Sequence, residues 1–293
     1  MGRKYFDLEK IIPEVEKNTF SQGGDLLIDY DSCDFSHRLV QPPIVCYLVT
    51  TVDENGNTNC APISMGNAVW GGPPDAGWYF AVGILNSRQT KINMQKTKEC
   101  VISYYPYSLM KNAHITGLPV PQGISEIDVA DLTPVESMKV KPCGIAECPN
   151  NIECKVVHEY PAGGGTTIFI LKMLAVNVSE EIYELDKAHP YQPGMVLADL
   201  MYEVSLNGKP ERINYMRMNL DTVYREDESG DDTYWTGTFR SWTESERKRG
   251  KITDEEAGEL IKYYELWKEN PNPVENAEVK EKLTALTKMM AWR

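Results

Sequence analysis

The 293-residue sequence has no uninterrupted apolar run long enough to span a bilayer. Its first residues, MGRKYFDLEK, mix charges and hold no apolar stretch, so no secretory leader is expected. Phe6 stands where a myristoylation signal needs Ser or Thr. There is no GxGxxG turn, which argues against a parallel dinucleotide-binding sheet. The four histidines, at 37, 114, 158 and 189, form no HExxH-type pair. Cys143, Cys148 and Cys154 fit neither zinc knuckles nor common iron–sulfur runs, so no metal is expected. Nothing suggests a nucleophile–base triad. Cations are also scarce. Thirty Lys and Arg face 43 Asp and Glu, for a net charge of −13. That balance speaks against nucleic acid or an anionic membrane surface as partner. Seven cysteines, an odd number without an export signal, read as reduced thiols in a cytoplasmic protein.

What is present is mostly β. In PPIVCYLVTTVDENGNTNCAPISM (42–65), two Val-, Ile- and Thr-rich runs flank an Asn-Gly turn, which predicts a hairpin. AGWYFAVGI (76–84) predicts a third strand and ECVISYYPY (99–107) a fourth, with a short helix between them. Residues 108–140 read as loops with short helices. IECKVVHEY and TTIFILKMLAVNVSEEI predict a second hairpin around PAGGG. This order describes a small antiparallel barrel. From about residue 196 the character changes. YEVSLNGKPERINYMRM predicts one more hairpin at its NGK, and DESGDD (227–232) an exposed acidic loop. TDEEAGELIKYYELWKEN opens with a capping box, Thr253 to Glu256, and sets Ala257, Leu260, Ile261, Tyr264 and Trp267 on one helix face. A second helix carries Val279, Leu283, Leu286 and Met290. The expected division is an N-terminal extension (1–37), a barrel domain (38–195) and a hairpin-plus-helix extension (196–293) that packs on the barrel or on a dimer interface.

One segment runs against the acidic background. NSRQTKINMQKTK (86–98) holds Arg88, Lys91, Lys96 and Lys98 and no acid, and it opens a helix with Asn86 or Ser87 as the expected N-cap. It reads either as a solvated basic face or as an anion site. In the second case the first helical amides, Ser87, Thr90 and Arg88 would cradle a phosphate.

These residues resemble the flavin reductase-like family, which includes flavoredoxin. The resemblance rests on PIVCYLVTTVDENGNTNCAPISM, on NSRQTKINMQKTKECVISY, and on two later blocks, HITGLPVPQGISEIDVADLTPVES and VKPCGIAECPNNIECKVV. It covers roughly residues 38–182 and implies an FMN-binding split β-barrel, antiparallel and Greek-key-like. A homodimer with flavin near the subunit interface is also implied. By the same resemblance Ser87, Arg88 and Thr90 would hold the FMN phosphate, with Asn93 bracing the helix or reaching it. Thr50, Thr51, Asn59, Ala61, Pro62 and Ser64 would line the isoalloxazine and ribityl chain. Asn59 can also be read as a turn residue and Thr50 and Thr51 as plain strand formers, while Cys60 reads first as a small buried residue. No protein acid or nucleophile is required, because the redox chemistry belongs to flavin N5. The implied activity is an FMN-dependent oxidoreductase with NAD(P)H or a reduced protein as donor and a flavin, small molecule or redox partner as acceptor. A flavoredoxin-type carrier and a non-catalytic barrel module are the alternatives. Met94 departs from the family's more usual Ile, and the last hundred residues exceed a minimal barrel.

Overall fold

Asp53 builds the first hairpin. One carboxylate oxygen accepts from the Asn55 and Asn57 amides, both at 2.8 Å, and the other from Asn57 Nδ2 at 2.9 Å. Gly56 supplies the positive φ (84°) that closes the turn. The flanking strands are β4 (Tyr47–Val52) and β5 (Thr58–Ile63), paired antiparallel. The computed structural model describes residues 5, 7, 10, 14–17, 26–29, 44–69, 77–163, 165–181, 183–184, 201–203, 214–217, 223–225 and 238–293. Before the hairpin come β1 (Glu14–Lys17), β2 (Leu26–Asp29) and β3 (Ile44–Val45). After it come β6 (Gly66–Val69), β7 (Trp78–Leu85), α1 (Gln89–Thr97) and β8 (Glu99–Tyr104). Next are α2 (Met110–Thr116), α3 (Glu126–Val129), β9 (Pro134–Val135) and β10 (Gly144–Ile145). The long hairpin is β11 (Asn150–Gly163) with β12 (Thr166–Val178).

Seven strands form one antiparallel sheet in the order β5-β4-β8-β11-β12-β7-β6. Its two edges, β5 and β6, are consecutive in sequence and joined only by Ser64 and Met65. Laid flat, six inter-strand gaps would separate them by about 29 Å. Three Cα steps reach at most about 11 Å. The sheet must therefore curl until its edges meet, and it becomes a barrel with a split between β5 and β6. Gly66 sits at that seam, where a Cβ would fall 2.5 Å from the Ala81 carbonyl oxygen. Sequence reading expected six strands in this barrel; β6 was unassigned, being a short stretch of Gly, Asn, Ala and Val.

The barrel interior is filled by Tyr47, Val49, Phe80, Val82, Ile102, Phe169 and Leu171, and by Met94 from α1. The opposite face of β4 and β5 is buried too. Cys46, Leu48 and Cys60 continue into a second core with α2, α3 and three C-terminal helices. These are α4 (Phe239–Lys248), α5 (Asp254–Glu269) and α6 (Ala277–Trp292). The Thr253–Glu256 capping box is formed, and Leu260, Trp267, Leu283 and Met290 are buried as their stripes predict. Helix α4 is an element not expected from the sequence; Thr238 and Ser241 cap it reciprocally. The tail also contributes β13 (Met201–Glu203), β14 (Asn214–Arg217) and β15 (Val223–Arg225); β13 pairs with both β14 and β3. The NGK turn at 207–209 and the acidic stretch 227–232 lie outside the described residues. No helix among the described residues is long and apolar enough to cross a membrane.

Candidate functional site

A cleft of about 230 Å³ opens at the barrel's split. One wall is β5 with Ser64 and Met65, running from Asn59 to the seam, together with the end of β7. The start of α1 closes it, with Ser87, Arg88, Gln89 and Thr90. The facing wall is the end of α2, the loop 117–120 and Glu126 of α3.

Seven of the ten residues expected from the sequence line this cleft: Asn59, Ala61, Pro62, Ser64, Ser87, Arg88 and Thr90. Thr50, Thr51 and Asn93 lie behind it, buried in a polar network. Asn93 Nδ2 donates to Thr51 Oγ1 at 3.0 Å, and Asn93 Oδ1 accepts from Gln89 Nε2 at 2.6 Å. Asn59 Nδ2 donates to Thr90 Oγ1 at 3.1 Å. Thr50 Oγ1 instead donates to the Cys143 carbonyl at 2.5 Å. The Asn93–Thr51 and Asn59–Thr90 bonds clamp α1 onto β4 and β5, so the helix start is held at the cleft. The N-cap is Arg88, not Asn86 or Ser87, and no side chain caps the turn. Asn86 is taken up elsewhere. Its amide donates to the Gly165 carbonyl at 2.7 Å, and its Oδ1 accepts from Thr167 Oγ1 at 2.7 Å. The first turn of α1 is thus left without a side-chain cap, and it holds no acid. The donor set fits an anion.

Farther along α1 the basic residues are already engaged. Lys96 Nζ meets Glu54 at 2.5 Å and Lys98 Nζ meets Glu159 at 2.6 Å. The bond from Lys98 holds the Glu159 carboxyl below the usual range. This part of the segment is a solvated face with local ion pairs.

Sequence reading missed the facing wall. Thr116, Leu118, Pro119, Val120 and Glu126 carry no spacing signal, because they face the cleft only once α2 and α3 pack against β5. Glu126 is buried, and its Oε2 accepts from the Cys60 amide at 2.8 Å. Burial pushes its carboxyl up to about 8, against the lowering effect of that amide and of its own. Burial, reinforced by this neighbouring carboxyl, also raises the Cys60 thiol well above its ordinary range. Cys60 is fully buried, as its small-residue reading expects. Among the described residues no group of three His, Cys, Asp or Glu could hold a metal ion.

Comparison with known proteins agrees with this geometry. The family model described as flavin reductase like domain matches residues 42–198. The protein YdfE of Bacillus subtilis is 29% identical over 170 residues, covering 51% of this chain and 79% of its own. Among solved structures, nitrilotriacetate monooxygenase component B from Bacillus cereus superposes with a TM-score of 0.52 at 22% identity. It covers 64% of this chain and 91% of that one. Flavoredoxin of Desulfovibrio vulgaris (Miyazaki F) gives 0.51 at 18% identity, over 65% and 94%. At such identities the two structures speak for the fold alone.

Proposed function

The chain belongs to the flavin reductase-like domain family, and from that premise we propose that it is an FMN-dependent oxidoreductase. The observation that carries this reading is the start of α1. There Ser87, Arg88 and Thr90 line the cleft at a helix start that has no side-chain cap and no acid in its first turn. A helix N-terminus contributes about half a positive charge, and the Arg88 guanidinium adds a full charge in a fork that suits phosphate oxygens. Bound FMN would supply the redox chemistry. The protein's part is to bind, orient and keep water out. Ladder alternation helps in orienting. The Cys60 amide points away from β4 toward Glu126, so the Cys60 and Pro62 carbonyls also face the open edge of β5. They are acceptors for an N–H on a ring lying along that strand. Met65, Leu118 and Pro119 give the cleft apolar sides. In this reading the donor is NAD(P)H or a reduced protein.

We infer a homodimer as well, supported by exposed apolar side chains on the barrel. Val69, Trp78, Ile168, Leu174 and Val176, on β6, β7 and β12, are exposed apolar residues on neighbouring strands. A second copy is the occupant that suits them. A visible spectrum of the purified protein, then anaerobic NADH and NADPH, tests the whole reading. Yellow protein that bleaches supports the oxidoreductase. Yellow protein indifferent to both nucleotides replaces it with an electron carrier, and colourless protein that rejects added FMN overturns it.

A further inference from the structure

A carboxylate in a cleft built for an anion would work against it. Arg88 and Glu126 are the two charged-type side chains among the described residues lining this one. Glu126 has no ion-pair partner among the described residues to offset a negative charge; its carboxyl accepts from the Cys60 amide and from its own amide. Glu126 also lines the cleft, so its carboxyl lies within reach of whatever the cleft holds.

The surroundings favour a neutral acid. From β5 it faces Cys60, whose thiol bonds to Thr116 of α2. The loop around β10 brings Cys143 and Cys148 to the same thiol. Among the other ionisable groups of the packed helices, Lys111 of α2 lies over the Trp292 ring, 4.8 Å from its centroid. His114, also on α2, and Asp128, on α3 itself, complete those helices. Lys288 of α6 is bound to Asp131 at 2.6 Å. None of these pairs with Glu126. A buried carboxyl without a cation keeps its proton, since desolvation penalises the charged form. A protonated carboxyl is a hydrogen-bond donor, which an ionised one cannot be.

We propose that Glu126 is a further ligand-binding residue of the cleft, entering it as a neutral carboxylic acid that donates a hydrogen bond to an acceptor atom of bound FMN. This rests on the reading that the cleft takes flavin. It also gives the cleft a pH limit. Once Glu126 ionises, the donor is lost and a negative charge sits beside an anionic ligand.

The test is FMN affinity by fluorescence quenching from about pH 6.5 to 9.5, in the wild type and in Glu126→Gln, which stays neutral and keeps a donor. Wild-type affinity is expected to fall about tenfold across the titration of Glu126, while the variant stays nearly flat. An infrared carbonyl band of a protonated carboxyl, present in ligand-free wild type at neutral pH and absent from the variant, is expected independently. FMN binding with the same pH profile in both proteins overturns the proposal and leaves the flavin reading intact. No FMN binding by the wild type at any pH overturns both. If Glu126→Gln does not fold, the infrared titration of the wild type decides. Loss of that band around pH 8 on the ligand-free protein, together with the fall in FMN affinity, supports the role. A carboxyl already ionised at neutral pH removes it. A purely structural bond to the Cys60 amide would not move FMN affinity with pH.

Discussion

The two walls of the cleft are held in different ways. The barrel wall is fixed by backbone ladders and a short chain of side-chain bonds, from Gln89 to Asn93 to Thr51. Its functional groups, Ser87, Arg88 and Thr90, sit at the start of a helix that Met94 anchors in the barrel. The helical wall has no ladder. Loop 117–123 and the short α3 are held from behind by the C-terminal helices. Trp267 Nε1 donates to the Gln122 carbonyl at 2.6 Å, Trp292 Nε1 to the Val129 carbonyl at 2.8 Å, and Lys288 pairs with Asp131. Damage to the first wall should therefore show mainly in ligand affinity, and damage to the second mainly in stability.

Trp267→Ala is the hardest test of that contrast. The ring is 1% exposed and its indole holds the loop. Truncation should cost about 3–5 kcal/mol of unfolding free energy. Chemical denaturation checks it, and an unperturbed midpoint would mean that the C-terminal helices do not support the cleft.

Arg88→Ala attacks the other wall. Loss of one charge-assisted contact should weaken FMN by about 1.5–3 kcal/mol, roughly tenfold to a hundredfold. The ligand-free variant should stay folded. FMN retained through dialysis at wild-type levels would place the phosphate elsewhere.

Gly123→Ala probes the helical wall more gently. Gly123 has φ +85°, and a Cβ there would lie 2.8 Å from the Trp267 ring. The expected loss is about 1–2 kcal/mol, again in stability. A neutral result would show that the loop shifts freely away from α5.

Stability should also drift with pH through Glu126. Its carboxyl rises from an ordinary 4.5 to about 8 on folding. The folded state therefore binds the proton more tightly. That stabilising contribution is fully present below about pH 4.5 and is lost as pH rises toward 8. Melting temperatures of ligand-free wild type, compared with Glu126→Gln, should diverge across that window and run parallel above it. Parallel curves throughout would mean that Glu126 is already ionised.

The smallest effect belongs to the far end of the basic segment. Lys96→Gln with Lys98→Gln should leave FMN affinity nearly unchanged. Both lysines are paired with glutamates, and they lie roughly 12–15 Å along the helix from its start, beyond a Debye length of about 8 Å. A drop as large as that of Arg88→Ala would turn the segment into a diffuse basic patch.

The barrel was largely legible because its signals are local. The Asn55–Gly56 turn demands positive φ, Val- and Thr-rich runs favour extended chain, and Thr253 with Glu256 caps a helix whatever it packs against. Three signals misled or were absent. Asn86 looks like an N-cap but is claimed by Thr167 and Gly165, 81 and 79 residues away. Thr50 and Thr51 sit in a strand buried on both faces, so alternation could not say which side each would serve. The short strand β6 has no pattern of its own and exists because the curled sheet brings β7 beside it.

By itself the sequence determined the strands, the capped helices and the acid-free helix start, because turn geometry, capping and local charge act within a few residues. Tertiary structure alone decided that β5 and β6 meet, since a two-residue link cannot bridge the edges of a flat sheet. It alone set the helical wall opposite them. And it alone placed Glu126 in a site without a cation, where desolvation, a property of the packed environment rather than of the residue, governs its charge.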